Sequence, residues 1–233
     1  MQKASENEPR IRKKSRKPGR PPKKSGNKKK STKEVIRDLR DIPEPKATVA
    51  ATEEQYEEIV RILWDGTGII RANKQVAIAI QTEACTGLRI GDVMALRLND
   101  IIRDGYRYRF NMRESKTGKL RTFTVPDPVY NMLAKHAKVN GISPEEPLFS
   151  IGIRDVQRKL SQVCDYLSYT HISTHSFRKR FATAAYRASG GDLEICRRLL
   201  QHSSQAVTLR YIGIDNERVE KTLRKITKII ASY

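Results

Sequence analysis

The chain has 233 residues, with 46 Lys/Arg against 26 Asp/Glu, a formal charge of +20 and 38% hydrophobic residues. That length suits one ordinary domain with extensions, or two small domains. It contains no run of eighteen apolar residues to span a bilayer and no apolar core of a secretory signal near its start.

The charge is not confined to one end. Residues 1–46 hold seventeen Lys/Arg and six Asp/Glu, a net +11, and the remainder holds twenty-nine and twenty, a net +9. Basic character in both parts points to a polyanionic partner, nucleic acid before an anionic membrane. Cys85, Cys164 and Cys196 are widely spaced, with no CxxC pair and no histidine at ligand spacing. They read as free, mostly buried thiols of a reducing compartment, and no metal site is expected.

In chain order, the first segment is "RIRKKSRKPGRPPKKSGNKKK", residues 10–30. It carries twelve Lys/Arg, no acid, and Ile11 as its one large apolar side chain. Such a segment buries too little surface to offset its ordering entropy, so residues 1–45 are expected to be a disordered basic arm. Gly19-Arg20-Pro21 matches the core of an AT-hook-like motif, in which an extended Gly-Arg-Pro lies in the narrow A·T minor groove. Pro18 stands where that motif usually has arginine, so the arm reads either as a minor-groove reader or as a non-specific polycation. Arg16, Lys17, Arg20, Lys23 and Lys24 are its candidate DNA contacts. "DIPEPK" then keeps the chain extended, and a folded domain is expected over 46–233.

"ATEEQYEEIVRILWDG" predicts a helix with a Thr52/Gln55 capping box, acids in its first turn, and Tyr56, Ile59, Val60 and Leu63 on one face. A second helix over 73–85 is apolar on most sides and should be central, with Gly87 as its C-terminal cap. A third, short one covers 91–98. The period then changes to two: 105–112 and 120–126 read as strands of a hairpin, with Thr117-Gly118 turning and Lys116 just before the turn. Helical patterns follow at about 128–138, 154–168, 176–188, 193–201 and 216–230. The expected fold is mainly α with a small antiparallel β-sheet.

Several of these positions could serve a phosphodiester. Arg89 follows a glycine at a helix junction. Arg178 lies three residues after His175 on one helix face. Lys116 tips the hairpin, and Tyr211 follows His202 by nine residues. Guanidinium forks suit two phosphate oxygens, a lysine or histidine can protonate a leaving alkoxide, and a tyrosine can attack phosphorus. Singly, each reads as easily as a solvated or packed side chain, and Tyr211 alone is either a packed ring or a nucleophile.

Together they form an ordered string that resembles the tyrosine recombinases, or phage integrases, over about residues 48–215. "EACTGLRIGDVMALRLNDI" resembles that family's first arginine box, and "ESKTGKLRTFTVP" its hairpin lysine. "THSFRKRFATAAYRASGGDLEICRRLLQHSSQAVTLRYIG" is similar to its remaining boxes. The resemblance implies that fold and a set of roles. Arg89 and Arg178 would bind the scissile phosphate, and Lys116, with Lys119 as runner-up, would protonate the 5′ oxygen. His175 would assist proton transfer and His202 would hydrogen-bond the phosphate. Tyr211 would form a 3′-phosphotyrosine, and Asp92 would support the arginines. Leu209 and Ile212 are expected to anchor the segment while Tyr211 faces the phosphate. Gln201 stands where the family usually has glycine, and Lys179 where a second histidine often follows.

The resemblance further implies site-specific recombination of double-stranded DNA without ATP, metal or other cofactor. It would proceed through a Holliday junction, by a homotetramer joined through the C-terminal helix, where Val219, Leu223, Ile226 and Ile230 share a face. Accessory DNA-bending proteins are candidate partners, a membrane is not, and the expected location is cytoplasmic, at the nucleoid. The family's usual core-binding domain is not expected in the arm. Alternatives of other classes are a type IB-like topoisomerase and a catalytically weak DNA-binding regulator with the same fold.

Overall fold

The computed structural model describes residues 48–209 together with Tyr211 and Ile212. The basic arm, with Arg16, Lys17, Arg20, Lys23 and Lys24, and the expected C-terminal helix over 216–230 lie outside the described residues.

The first helix, α1, is Glu53–Asp65, and its capping box is present: Thr52 Oγ1 accepts from Gln55 N at 3.2 Å and Gln55 Oε1 from Thr52 N at 3.0 Å. Its buried side chains are Ile59, Ile62 and Leu63. The second, α2, is Lys74–Thr86, with Asn73 Oδ1 capping Val76 N at 3.1 Å. From Val76 to Thr86 only Gln81 and Cys85 escape burial. A helix buried on nearly every side must be surrounded, and α2 packs against α1 and four later helices.

Helix α3, Ile90–Met94, is shorter than the sequence pattern suggests, and a 3₁₀ turn at Leu98–Asp100 follows. The strands are β1 Ile101–Asp104, β2 Arg107–Phe110, β3 Met112–Arg113, β4 Leu120–Arg121 and β5 Thr124–Val125. β1 is an addition to the sequence reading. It pairs antiparallel with β2, which also pairs with β5, while β3 and β4 form a separate two-stranded ladder. Tyr108 opposite Val125 and Met112 opposite Arg121 keep one register, so β2–β3 and β4–β5 are a single hairpin, interrupted where Asn111 N turns to Asp100 O at 2.7 Å.

Four larger helices and one short one complete the body. They are α4 Asp127–Asn140, α5 Ile153–Tyr166, α6 Thr174–Ala188, α7 Leu193–Leu200 and the short α8 Gln205–Leu209. One core cluster joins the hairpin to α4 and includes Phe110, Val125, Leu133 and Leu148. A second joins α1, α2, α5 and α6 around Ile59, Ile80, Leu160 and Phe177. Ile78 and Ala79 of α2 face the first and Val76 and Ile80 the second, so this helix is the partition between them. A third, small cluster of Ala182, Cys196, Leu200 and Ile212 seats the Tyr211 segment. Cys164 and Cys196 are buried as expected, whereas Cys85 is exposed, because it lies with Gln81, one turn before it, on the narrow face that α2 leaves open. Among the described residues no helix is long and apolar enough to cross a membrane.

Candidate active site

The site is assembled where α2 and α7 end and α6 begins. Gly87 terminates α2 in the left-handed region, φ +62°, with its N–H on Glu83 O at 2.9 Å. A Cβ there would lie 2.4 Å from Phe181 Cδ1, so both conformation and space call for glycine. The turn buries Leu88 and sets Arg89 at the N-cap of α3. The Gly87 carbonyl is left to accept from Arg178 Nη1.

Arg178, on α6, is fully buried, and its Nη2 donates to Leu200 O at 2.8 Å. Its fork thus ties the carbonyl ends of α2 and α7, where helix dipoles favour a cation. Arg121 of β4 ties the same two ends, through Thr86 O at 2.8 Å and Leu199 O at 3.1 Å. Between the arginines sits the buried Glu114, whose Oε2 meets Arg89 Nη1 at 2.6 Å and whose Oε1 meets Arg121 Nη1 at 2.6 Å. Burial works against ionisation of Glu114, but the Arg89 hydrogen bond and the Arg121 charge outweigh it and hold the carboxyl below its ordinary range. Burial, then the charge of Arg89, lowers the pKa of Arg178. An oxyanion set between the two cations would relieve that repulsion.

Asp92 acts less directly than the sequence suggests. Its Oδ2 is 3.9 Å from Arg89 Nη1, while its Oδ1 accepts the Ser115 backbone N–H at 2.8 Å. It therefore holds the hairpin turn, and Glu114 is the residue that grips Arg89. Lys116 lies exposed within that turn rather than before it, because the turn runs Ser115–Thr117 and Gly118 follows at φ +65°. Lys119 is exposed after it. Lys179 gives its ammonium to Thr48 O.

Tyr211 stands between two histidines. Its ring centroid is 4.8 Å from that of His175 and 4.5 Å from that of His202, and Arg178 Cζ lies 5.8 Å from it. Tyr211 N and Ile212 N both donate to Thr208 O, at 2.9 and 3.1 Å. Buried Ile212 is the anchor, a burial that stabilises by about 2 kcal/mol. Leu209 is not: it is 43% exposed, and Thr208 takes the buried position because its Oγ1 meets His202 Nδ1 at 3.1 Å. Among the described residues, buried His202 Nε2 has no hydrogen-bond partner, so that edge can take a ligand. Burial, and then Arg178, push both histidines down to about 4, which leaves neutral, proton-accepting rings at pH 7. Arg89 adds to the effect on each, and Lys116 also acts on His175, so the hairpin tip is within electrostatic reach of this ring.

Five sequence candidates thus converge: Arg89, His175, Arg178, His202 and Tyr211. Glu114, Arg121 and Thr208 were not anticipated. A usable signal existed, because the buried face of the hairpin alternates Phe110, Met112, Glu114, and a carboxylate at a core position demands a cation. Among the described residues no group of three His, Cys, Asp or Glu is placed to hold a metal.

A family model described as the phage integrase family matches residues 50–218. The probable integrase/recombinase YoeC of Bacillus subtilis (strain 168) is 26% identical over 140 residues, which cover 57% of this chain and 74% of that protein. The tyrosine recombinase XerC of Nitrobacter winogradskyi is 28% identical over 143 residues, 58% of this chain and 44% of that one. Among solved structures, the XerH site-specific recombinase bound to palindromic difH substrate, a post-cleavage complex, matches with a TM-score of 0.62 at 17% identity, over 77% of this chain and 52% of that chain. This chain therefore spans about three quarters of the first relative, less than half of the second and about half of XerH. The two arginines and two histidines gathered around Tyr211 all fall inside the matched span, and with most of its length matched the chain belongs to the phage integrase family, the tyrosine recombinases.

Proposed function

We propose that this chain is a site-specific DNA recombinase that cuts and rejoins strands through a 3′-phosphotyrosine at Tyr211. The observation that carries the reading is the placement of the Tyr211 ring against His175, His202 and the Arg178 guanidinium. Family membership supports it, as does the likeness in fold to XerH, a recombinase bound to its difH substrate.

In this reading Arg89 and Arg178 hold the non-bridging oxygens, and the free Nε2 edge of His202 faces the same phosphate. Tyr211 Oη attacks phosphorus and gives its proton to neutral His175. The P–O5′ bond breaks, and Lys116 delivers a proton to the departing 5′ oxygen. The ester energy is kept in the phosphotyrosine, so a 5′-hydroxyl from the partner strand reverses the step without ATP. Phosphodiester cleavage demands barrier reductions of roughly 20 kcal/mol. Electrostatic stabilisation by the arginines and His202 is the largest share, with positioning and general-acid catalysis supplying the rest. Strand exchange proceeds through a Holliday junction in a homotetramer joined through residues 216–230. The arm, including Arg16, Lys17, Arg20, Lys23 and Lys24, adds DNA affinity.

The test is a nicked suicide substrate built on candidate sites, taken from whatever inverted repeats sequencing finds in the DNA that flanks the gene. Wild type should form a covalent adduct, and Tyr211→Phe should form none while still binding DNA. Absence of adduct from wild type overturns the reading.

A further inference from the structure

Gln201 is a non-glycine residue in the left-handed region, φ 53° and ψ 37°, at the C-cap of α7. Its N–H bonds Arg198 O at 3.1 Å and the N–H of His202 bonds Arg197 O at 3.0 Å, a helix end that glycine fits without strain. The side chain does not simply point to solvent. Nε2 donates to Leu120 O at 2.9 Å, on β4, while Oε1 is buried with no partner among the described residues. The acceptor is a carbonyl, so the nitrogen must face it and the amide orientation is determined. The position therefore carries two unfavourable features, a strained backbone and an unpaired oxygen, beside one long-range hydrogen bond. Strain held at a site is a pointer to what the held contact does.

The contact joins two parts of the site. Leu120 opens β4 opposite Arg113, where the exposed tip carrying Lys116 joins the ladder, and Gln201 directly precedes His202. Arg121 makes the return bond to Leu199 O at 3.1 Å. We propose that Gln201 is a positioning residue, a latch that fixes the Lys116 hairpin against the turn bearing His202 so that the general acid meets the leaving oxygen. This rests on the recombinase reading above. The hairpin tip itself is exposed from Ser115 to Lys119, so its aim depends on how its base is held. Asp92 holds one side through Ser115 N, and Gln201 holds the other.

The latch acts on one step only, protonation of the 5′ oxygen, and that makes it separable from a structural role. A substrate with sulfur in place of the bridging 5′ oxygen leaves as a thiolate and needs no acid. Single-turnover adduct formation is measured on both esters for wild type, Gln201→Ala, Gln201→Gly and Lys116→Ala. Gln201→Gly relieves the backbone strain as it removes the latch, so it guards against a defect that is merely poor folding. Both Gln201 variants should be slower on the oxygen ester by on the order of tenfold, a fraction of what a general acid supplies, and should return to within about twofold of wild type on the sulfur ester, as Lys116→Ala does. If Gln201→Gly cleaves the oxygen ester at the wild-type rate, or is slowed equally on both esters, the latch is wrong and the recombinase reading stands. If wild type gives no adduct on either ester, both fall together.

Discussion

Glu114 and Arg89, twenty-five residues apart in sequence, meet at 2.6 Å, and the other oxygen of the same carboxylate meets Arg121 at 2.6 Å. Glu114 and Arg121 are both fully buried side chains, so neither charge has water to fall back on. Glu114→Gln should therefore lose about 3 kcal/mol of stability, because the Arg121 cation keeps its burial and loses its counter-charge. The urea midpoint reads this directly. A loss below about 1 kcal/mol would mean that the carbonyls of Thr86 and Leu199 suffice to hold Arg121.

The two histidines set a pH dependence with a definite sign. Both are pushed from the ordinary 6.5 down to about 4 by burial and the surrounding cations. Between those values the unfolded chain takes up protons that the folded chain refuses, so stability is full above about pH 6.5 and falls as pH drops towards 4. Glu114, held below its ordinary range, adds a further loss that begins as pH falls through the ordinary carboxylate value, where the unfolded chain protonates first, and is complete below the folded one. Glu83 works in the opposite sense: burial raises its pKa, so its contribution is full below the ordinary carboxylate value and is lost as pH rises through the folded one. Melting temperatures at pH 7.5 and 5.0 should differ less for His202→Gln than for wild type. Parallel curves for the two proteins would remove His202 from this account.

Salt dependence bears on the arm. Twelve Lys/Arg without an acid over residues 10–30 should each displace a counterion when they meet a phosphate. Deleting residues 1–40 should flatten the plot of log affinity against log salt by about 0.9 for every phosphate that the arm neutralises. An unchanged slope would mean that the folded residues alone touch DNA.

What the sequence revealed follows the range of the interactions involved. The Thr52/Gln55 box and the Gly87 stop are local, set within four residues, and each forms where the pattern places it, whereas Asn73 caps the second helix rather than opening it. The central position of α2 was legible too, because an apolar pattern on most faces admits no other site. The short pieces were less so. β1 is four residues without strict alternation, and α8 is five, too short for any period to register. Leu209 reads as an anchor by hydrophobicity, yet Thr208 holds the buried place because it alone can answer His202 Nδ1. Arg121 looks like one more surface cation of a basic chain until the fold closes it over Glu114 and two helix ends. The candidate residues for phosphate were legible as types in order, whereas the groups that aim them were not, since their partners lie tens of residues away.

The Gly87 turn offers the sharpest steric test. Its φ of +62° disfavours any L side chain, and an added Cβ would lie 2.4 Å from Phe181 Cδ1 and 2.7 Å from Cε1. Gly87→Ala should lose about 3 kcal/mol, from the left-handed backbone and the clash together. Adding Phe181→Leu should recover the part owed to the clash and leave the backbone part. The Gly87 carbonyl also holds Arg178, so the double variant should bind DNA near normally yet form the Tyr211 adduct at least tenfold more slowly. Unfolding midpoints separate the two structural contributions, and single-turnover cleavage reads the third. A double variant that cleaves at the wild-type rate would show that the Leu200 carbonyl alone keeps Arg178 aimed at the phosphate.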